Sequence, residues 1–201
     1  MKRYVWFLVA AAAIALLLSI AGRMGLIGGP TQQTEVGGTP DIGGDFTLVN
    51  RQGETVTNET YAGKYRLIYF GFTSCPDVCP TTLQIITLAM DDLGDAASDV
   101  LPMFVSLDPE RDDPAKVDAY LKNFDPRFVG LTGSPDQVAA TAKTYRIYYA
   151  KVDLPDSALG YTIDHSSFIY LMGPNGRYLT HFTHNDDPEA IAKKVREIVE
   201  G

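Results

Sequence analysis

The two cysteines of this 201-residue chain, Cys75 and Cys79, lie four positions apart at a predicted junction between a strand and a helix. The apolar run 67–72 precedes them and predicts a buried strand, and a helix-start pattern begins at Pro80. A helix beginning there places Cys79 at or near the N-cap and both sulfurs near the positive end of the helix dipole. That position favours the thiolate, which is both the nucleophile and the metal ligand.

The C-x-x-x-C spacing limits the chemistry of this cysteine pair. It is one residue longer than the C-x-x-C of thioredoxin-type redox proteins. A structural zinc site needs two further Cys or His ligands, and the chain has no second cysteine pair. Two thiolates and one imidazole would suit copper, because thiolate selects Cu(I) and imidazole accommodates Cu(II). A plain structural disulfide stays open as the alternative, although so short a loop adds little chain-entropy stabilisation.

Three histidines could supply the imidazole: His165, His181 and His184. His165 stands at the head of the apolar run 168–172, which predicts a position at a strand start, within reach of a neighbouring strand's end. His181 lies in a strand-like stretch, and His184 precedes a predicted helix start. A single histidine is more often a surface or hydrogen-bonded core residue than a ligand, so the pattern alone does not choose among them.

The N-terminal segment predicts a membrane anchor. Residues 4–21 form an uncharged run of 18 positions, at the lower end of the ~17–25 residues that span a bilayer. Lys2 and Arg3 predict that the N-terminus is cytoplasmic. We predict a retained anchor over residues 1–21 rather than a cleaved signal peptide, because the run exceeds the ~7–15 residues of a signal core. The expected location is the bacterial inner membrane, with a single pass and a soluble domain in the periplasm.

Residues 22–44 predict a flexible linker, because they hold eight glycines and two prolines. All 25 acidic residues lie after residue 30, together with 14 of the 17 Lys and Arg. This acidic balance argues against a nucleic-acid partner. Residues 45–201 are long enough for one domain with a full core.

Apolar runs alternate with helical patterns along residues 45–201 and predict an α/β sheet with helices on both faces, preceded by an N-terminal hairpin. The hairpin is predicted over 46–49 and 54–57, and the acidic segment 108–113 is predicted to be a helix-capping turn. The remaining predicted strands are 67–72, 103–107, 128–131, 147–152, 168–172 and 177–182, and the predicted helices are 80–93, 114–124, 134–145 and 186–201.

Several motifs, in one order, resemble those of the SCO/SenC family. They are residues 69–80 (YFGFTSCPDVCP), 106–112 (SLDPERD), 130–133 (GLTG), 145–149 (YRIYY) and 164–167 (DHSS). The resemblance runs from about residue 43 to 184, and Ser74, where many members carry His, departs from it without touching a ligand position. It implies a thioredoxin-like fold preceded by one transmembrane helix.

The resemblance also implies a function: a membrane-anchored copper chaperone that delivers copper to the dinuclear copper centre of cytochrome c oxidase, with the oxidase's copper-bearing subunit as partner. Carried over to this chain, Cys75 and Cys79 supply thiolates and His165 the third ligand for Cu(I) and Cu(II). Asp164 either helps to orient these ligands without binding the metal itself or stabilises the turn in which it lies. The alternative is a thiol–disulfide reductase that keeps the oxidase subunit's cysteines reduced, with Cys75 and Cys79 as its redox disulfide. A histidine where thioredoxin-like reductases place a substrate-docking proline favours metal binding, so we expect a metal-delivery protein rather than an enzyme.

Overall fold

The computed structural model describes residues 41–201. The predicted anchor over 1–21 and residues 22–40 of the predicted linker lie outside this range and stay predictions. Within the described range, no helix combines the length and the apolar character that crossing a bilayer requires. Close to the end of the predicted linker, Gly43 donates its N–H to the carbonyl of Thr144 at 3.0 Å.

The described chain contains one seven-stranded mixed sheet and one separate two-stranded sheet. The strands are β1 (Thr47–Asn50), β2 (Thr55–Thr57), β3 (Tyr65–Gly71), β4 (Val100–Ser106), β5 (Val129–Thr132), β6 (Tyr149–Leu154), β7 (Gly160–His165), β8 (Phe168–Met172) and β9 (Tyr178–Thr183). The larger sheet has the order β2-β1-β5-β4-β3-β8-β9, and β6 pairs with β7 in the smaller one. Strands β3, β4 and β5 are parallel, while β1 and β8 join them antiparallel.

The described chain also contains four α-helices and two short 3₁₀ helices, and the last α-helix follows the last strand. The α-helices are α1 (Val78–Asp92), α2 (Pro114–Leu121), α3 (Pro135–Thr144) and α4 (Pro188–Glu200), and the 3₁₀ helices are Asn58–Tyr61 and Gly94–Asp99. Helices α2, α3 and α4 each begin with a proline directly after a capping Asp or Ser whose side chain accepts a backbone N–H. The sequence encodes these three helix starts locally, because proline fits the first turn and the cap satisfies an otherwise unpaired donor.

The core lies along the centre of the larger sheet. Strands β3 and β4 are almost wholly buried, which explains why each is a near-continuous apolar run. Helix α2 packs closely against β5 at Gly130, where an added Cβ would lie 2.7 Å from side-chain atoms of Val117 and Leu121. The carboxyl ends of β3 and β4, at Gly71 and Ser106, are themselves buried.

The N-terminal hairpin and the mixed α/β arrangement are present as predicted. Two local predictions were wrong. Helix α1 begins at Val78 rather than at Pro80, so Cys79 lies in the first turn and Asp77 is the N-cap. Proline is tolerated there because the first four N–H groups of a helix have no intrahelical partner. His165 ends strand β7 rather than starting a strand, because residues 149–165 fold back on themselves as a separate hairpin before β8 begins.

Candidate metal centre

The two cysteines and one histidine meet beyond the carboxyl end of β3. Cys75 lies in the loop between β3 and α1, Cys79 is the second residue of α1, and His165 is the last residue of β7. Cys79 is fully buried, whereas Cys75 and His165 are partly exposed. Neither cysteine is in a disulfide. The pair therefore consists of a buried thiol, Cys79, and a partly exposed thiol, Cys75.

Direct contacts join these three side chains. The Cys79 Sγ atom lies 3.6 Å from the Nε2 atom of His165. The backbone N–H of Cys79 donates to the Sγ atom of Cys75 at 3.4 Å. The Asp77 side chain makes no capping hydrogen bond, so the Cys75 sulfur accepts a helix-start N–H in its place.

A backbone carbonyl and two aromatic rings hold the His165 imidazole. Its Nδ1 atom is 2.9 Å from the carbonyl oxygen of Ser166. A carbonyl oxygen only accepts, so the proton of the neutral ring lies on Nδ1 and the lone pair of Nε2 faces Cys79. The ring packs edge-on against Phe72, with ring centres 5.9 Å apart, and against Tyr69 at 6.3 Å. The other ring nitrogen, Nε2, thus points at the sulfur of Cys79.

The two thiols have opposite pKa shifts. A hydrogen bond from Cys79 lowers the pKa of Cys75 to about 6, with backbone N–H groups and the nearby His165 acting in the same direction against partial burial. The hydrogen bond with Cys75 and burial both raise the pKa of Cys79. At neutral pH, Cys75 is therefore the thiolate that accepts and Cys79 the thiol that donates. Burial, with a contribution from Cys79, also raises the pKa of Tyr69.

Gly71 makes room for the buried sulfur of Cys79. A Cβ added at this residue would lie 2.9 Å from Cys79 Sγ and 3.0 Å from ring atoms of Phe104 and Tyr69. These distances are too short for a side chain, so only bare backbone fits here. The backbone at the end of β3 therefore packs directly against the Cys79 sulfur.

This donor set fits a soft metal. Among residues 41–201, no three His, Cys, Asp or Glu side chains already converge as a closed metal site. The sulfur of Cys79, whose raised pKa keeps it protonated, contacts the imidazole, and the sulfur of Cys75 accepts from the Cys79 backbone. Metal binding requires the thiol proton of Cys79 to leave. Two thiolates and one imidazole nitrogen match copper, and the full set of three ligands stays a prediction.

The remaining candidate residues lie apart from these contacts. The Asp164 carboxylate is exposed and, within the described chain, makes no hydrogen bond or ion pair, so its role stays a prediction. His181 contacts the hydroxyl of Tyr178 at 2.6 Å and packs against Phe168. Of the three histidines, only His165 is within 3.6 Å of a cysteine sulfur in the described contacts.

The acidic segment after β4 does more than the predicted helix capping. Asp113 caps α2, accepting from the N–H of Lys116 at 2.8 Å as predicted. Asp112 is fully buried and accepts from the N–H and the hydroxyl of Thr73, at 2.9 and 2.6 Å, and from the hydroxyl of Ser106 at 2.7 Å. It therefore ties the cysteine loop to the end of β4. The signal that could have revealed this was its place directly after a buried strand, because the carboxyl ends of neighbouring parallel strands lie at the same edge of a sheet.

Known proteins resemble this chain over most of its length. A family model described as SCO1/SenC matches residues 34–200. A SCO2-like protein of Rickettsia felis is 43% identical over 155 residues, which cover 77% of this chain and 76% of that protein. The crystal structure of Arabidopsis thaliana ScoI with copper bound is 40% identical with a TM-score of 0.74, covering 80% of this chain and 99% of that one.

A further structure is that of BsSco, described as a member of the Sco family of cytochrome c oxidase assembly proteins in which a disulfide switch was identified. It is 26% identical with a TM-score of 0.62, covering 81% of this chain and 96% of that one. The mixed α/β sheet is thus the thioredoxin-like fold of the Sco proteins, as predicted. The family model and these identities together show that the chain belongs to the SCO1/SenC family.

Proposed function

We propose that this protein is a copper chaperone that binds copper through Cys75, Cys79 and His165 and delivers it to the dinuclear copper centre of cytochrome c oxidase. The observation that carries the proposal is the 3.6 Å approach of the Nε2 atom of His165 to the sulfur of the buried Cys79. A relative with copper bound and a relative described as an oxidase assembly protein support it.

The geometry suits a carrier that must both hold and release its cargo. The Cys75 thiolate is ready at neutral pH because its pKa is lowered to about 6. Cys79 loses its proton when copper arrives, and both thiolates then hold Cu(I), while Nε2 of His165 adds the nitrogen that Cu(II) prefers. Cys75 is the more exposed sulfur, so an acceptor site on the oxidase's copper-bearing subunit would reach it first.

The low pKa and partial exposure of Cys75 also favour a second function, reduction of a disulfide in the oxidase subunit. The Cys75 thiolate would attack one target sulfur, forming a mixed disulfide and releasing the other target sulfur as a thiolate. Cys79 would then lose its proton and displace the first target sulfur. The target ends as a dithiol and this protein as the Cys75–Cys79 disulfide, so two electrons move to the target.

We also propose that residues 1–21 anchor the protein in the bacterial inner membrane and that the domain faces the periplasm. The support is the uncharged 18-residue run after Lys2 and Arg3. Fractionation and protease accessibility of the full chain in intact spheroplasts test this. A protected domain in intact spheroplasts would contradict it.

A complementation experiment separates delivery from reduction. A strain lacking this protein receives the wild type, His165→Ala or Cys75→Ser, and its oxidase activity is measured at limiting and at added copper. Delivery predicts that His165→Ala loses activity and that added copper restores part of it, because excess metal bypasses a carrier. Full activity of His165→Ala alongside none for Cys75→Ser would instead support the reductase.

A further inference from the structure

The β6–β7 hairpin, residues 149–165, decides where His165 lies. Within the described chain its two strands pair only with each other, so the seven-stranded sheet does not fix it by strand pairing. At its base, the N–H of Ser166 donates to the carbonyl of Tyr148 at 3.0 Å. Because His165 is the last residue of the hairpin, any contact that orients the hairpin also sets the position of the imidazole.

Arg111, from the acidic segment after β4, contacts both the backbone and an aromatic ring of the hairpin. One guanidinium nitrogen, Nη1, donates to the hairpin carbonyls of Leu159 at 3.1 Å and Tyr161 at 3.0 Å. The guanidinium carbon lies 3.6 Å from the centre of the Tyr161 ring. A cation on an aromatic face combined with a planar fork of donors is an arrangement that arginine supports and lysine does not.

Asp108 contacts both members of the Arg111–Tyr161 pair. It is buried, pairs with Arg111 Nε at 2.5 Å and accepts from the Tyr161 hydroxyl at 2.7 Å. Glu110 adds an exposed ion pair with Lys151 at 2.8 Å. Among residues 41–201, every side-chain hydrogen bond or ion pair between residues 149–164 and the rest of the chain comes from residues 108–111.

The same segment holds the cysteine loop by a separate arm. Asp112 binds the backbone and side chain of Thr73, two residues before Cys75. The segment 108–112 therefore lies between the two halves of the site, with the Asp112–Thr73 arm on the cysteine side and the Arg111–Tyr161 arm on the histidine side. The two arms use different residues, so one can be weakened without cutting the other.

We propose that the Arg111–Tyr161 contact is a positioning device that holds His165 beside Cys79. It thereby sets how strongly the site binds Cu(II) relative to Cu(I). The inference rests on the ligands of the proposed function. Cu(I) would be held by two thiolates, and the Asp112 arm fixes the loop that carries Cys75. Cu(II) would depend also on the imidazole, whose hairpin the Arg111 arm fixes. Loosening Arg111 should therefore weaken Cu(II) binding and spare Cu(I) binding.

Copper-free NMR of the full chain in detergent micelles tests the positioning directly. Arg111→Lys keeps the charge beside Asp108 but loses the fork, and Tyr161→Leu keeps the Arg111–Asp108 pair but loses the ring and the hydroxyl. The matched control is Arg127→Lys, because Arg127 forms a comparable fork on Asp125 next to the amino end of β5. We expect contacts between the His165 and Phe72 rings in the wild type and in Arg127→Lys, and their loss in Arg111→Lys and Tyr161→Leu.

Competition titrations with Cu(I)- and Cu(II)-specific chelators test the consequence. We expect Arg111→Lys and Tyr161→Leu to lower the Cu(II) affinity about tenfold, as loss of a ligand-orienting residue commonly does, and to leave the Cu(I) affinity within about twofold. Arg127→Lys should change neither affinity. In a His165→Ala background, Arg111→Lys should have no further effect, because the device acts only through the imidazole.

Three results would overturn the proposal: unchanged contacts between the rings of His165 and Phe72, equal loss of affinity for both copper ions, or an effect of Arg111→Lys that persists in the His165→Ala background. A His165→Ala variant with wild-type Cu(II) affinity would contradict the ligand assignment itself and with it the copper preference. The copper-free spectra would still decide whether the contact positions the ring, so the two failures are distinguishable.

Discussion

The Nε2 atom of His165 lies 3.6 Å from the Sγ atom of Cys79, although the two residues are 86 positions apart in the chain. The contact joins the end of a self-paired hairpin to the first turn of α1. Because the carbonyl of Ser166 engages Nδ1, the free lone pair of the ring is the one that faces the sulfur. A metal ion that binds here displaces the thiol proton of Cys79, so binding is coupled to proton release.

Copper stoichiometry should depend on the redox state of the cysteines. We expect the reduced protein to bind one copper ion per chain and the Cys75–Cys79 disulfide form to bind none tightly, because a disulfide has no thiolate to donate. Native mass spectrometry of both forms with Cu(I) and with Cu(II) measures this. Undiminished binding by the oxidised form would refute the cysteine assignment.

Removal of the imidazole should affect the Cu(II) affinity and the Cu(I) affinity to different extents. We expect His165→Ala to lower the Cu(II) affinity by at least about tenfold and to change the Cu(I) affinity far less, because two thiolates hold Cu(I) unaided. Chelator competition measures both affinities, and His184→Ala is the matched control with little expected effect on either ion. Equal effects of the two substitutions would contradict the choice of His165.

The reactivity of Cys75 should follow its lowered pKa. A lowered pKa means that the thiolate persists to lower pH, so the alkylation rate should reach half its maximum near pH 6 and fall below that pH. Cys79→Ala removes the hydrogen bond that stabilises this thiolate and should move the midpoint upward, whereas Cys79→Ser keeps a donor and should move it less. Iodoacetamide kinetics followed by mass spectrometry measure the midpoints, and an unchanged midpoint in Cys79→Ala would show that another group lowers the pKa.

The buried carboxylate of Asp112 should stabilise the fold. Asp112→Asn replaces an acceptor of three hydrogen bonds and a partner of Lys116, and we expect the free energy of unfolding to fall by about 1–3 kcal/mol. The control is Asp118→Asn, which breaks more exposed pairs with Lys122 and Arg51 and should cost less than about 1 kcal/mol. Urea denaturation of both variants measures the difference, and equal costs would argue against the network.

A methyl group added at Gly71 should weaken copper binding, whereas one added at Gly130 should not. Both Gly71→Ala and Gly130→Ala introduce a methyl group that would lie less than 3.0 Å from a neighbouring side-chain atom, and each should cost about 1–3 kcal/mol of stability. Only Gly71→Ala meets the Cys79 sulfur, so only this variant should also weaken Cu(I) binding. Comparable copper affinities in the two variants would mean that the sulfur tolerates displacement.

Short-range signals in the sequence determined the elements around the site. The apolar run before Cys75 predicted strand β3, and the helix-capping turn over 108–113 predicted the start of α2, because propensity and capping act within a few positions. The motif resemblance added the family, which the comparisons show, and a ligand set of Cys75, Cys79 and His165, which stays a prediction. The N-terminal anchor is predicted from sequence alone, lies outside the described residues and stays a prediction.

Tertiary structure decided which of the candidate side chains meet at the site, because such meetings depend on contacts between distant parts of the chain. The start of α1 at Val78 follows from the Cys75 sulfur accepting a helix N–H, which no propensity scale encodes. The sequence pattern left three histidines open, and only the folding back of the β6–β7 hairpin brings His165 to Cys79. Asp112 and Arg111 read as parts of a turn until the parallel pairing of β3 with β4 brings that turn beside the cysteine loop, where burial makes their hydrogen bonds strong.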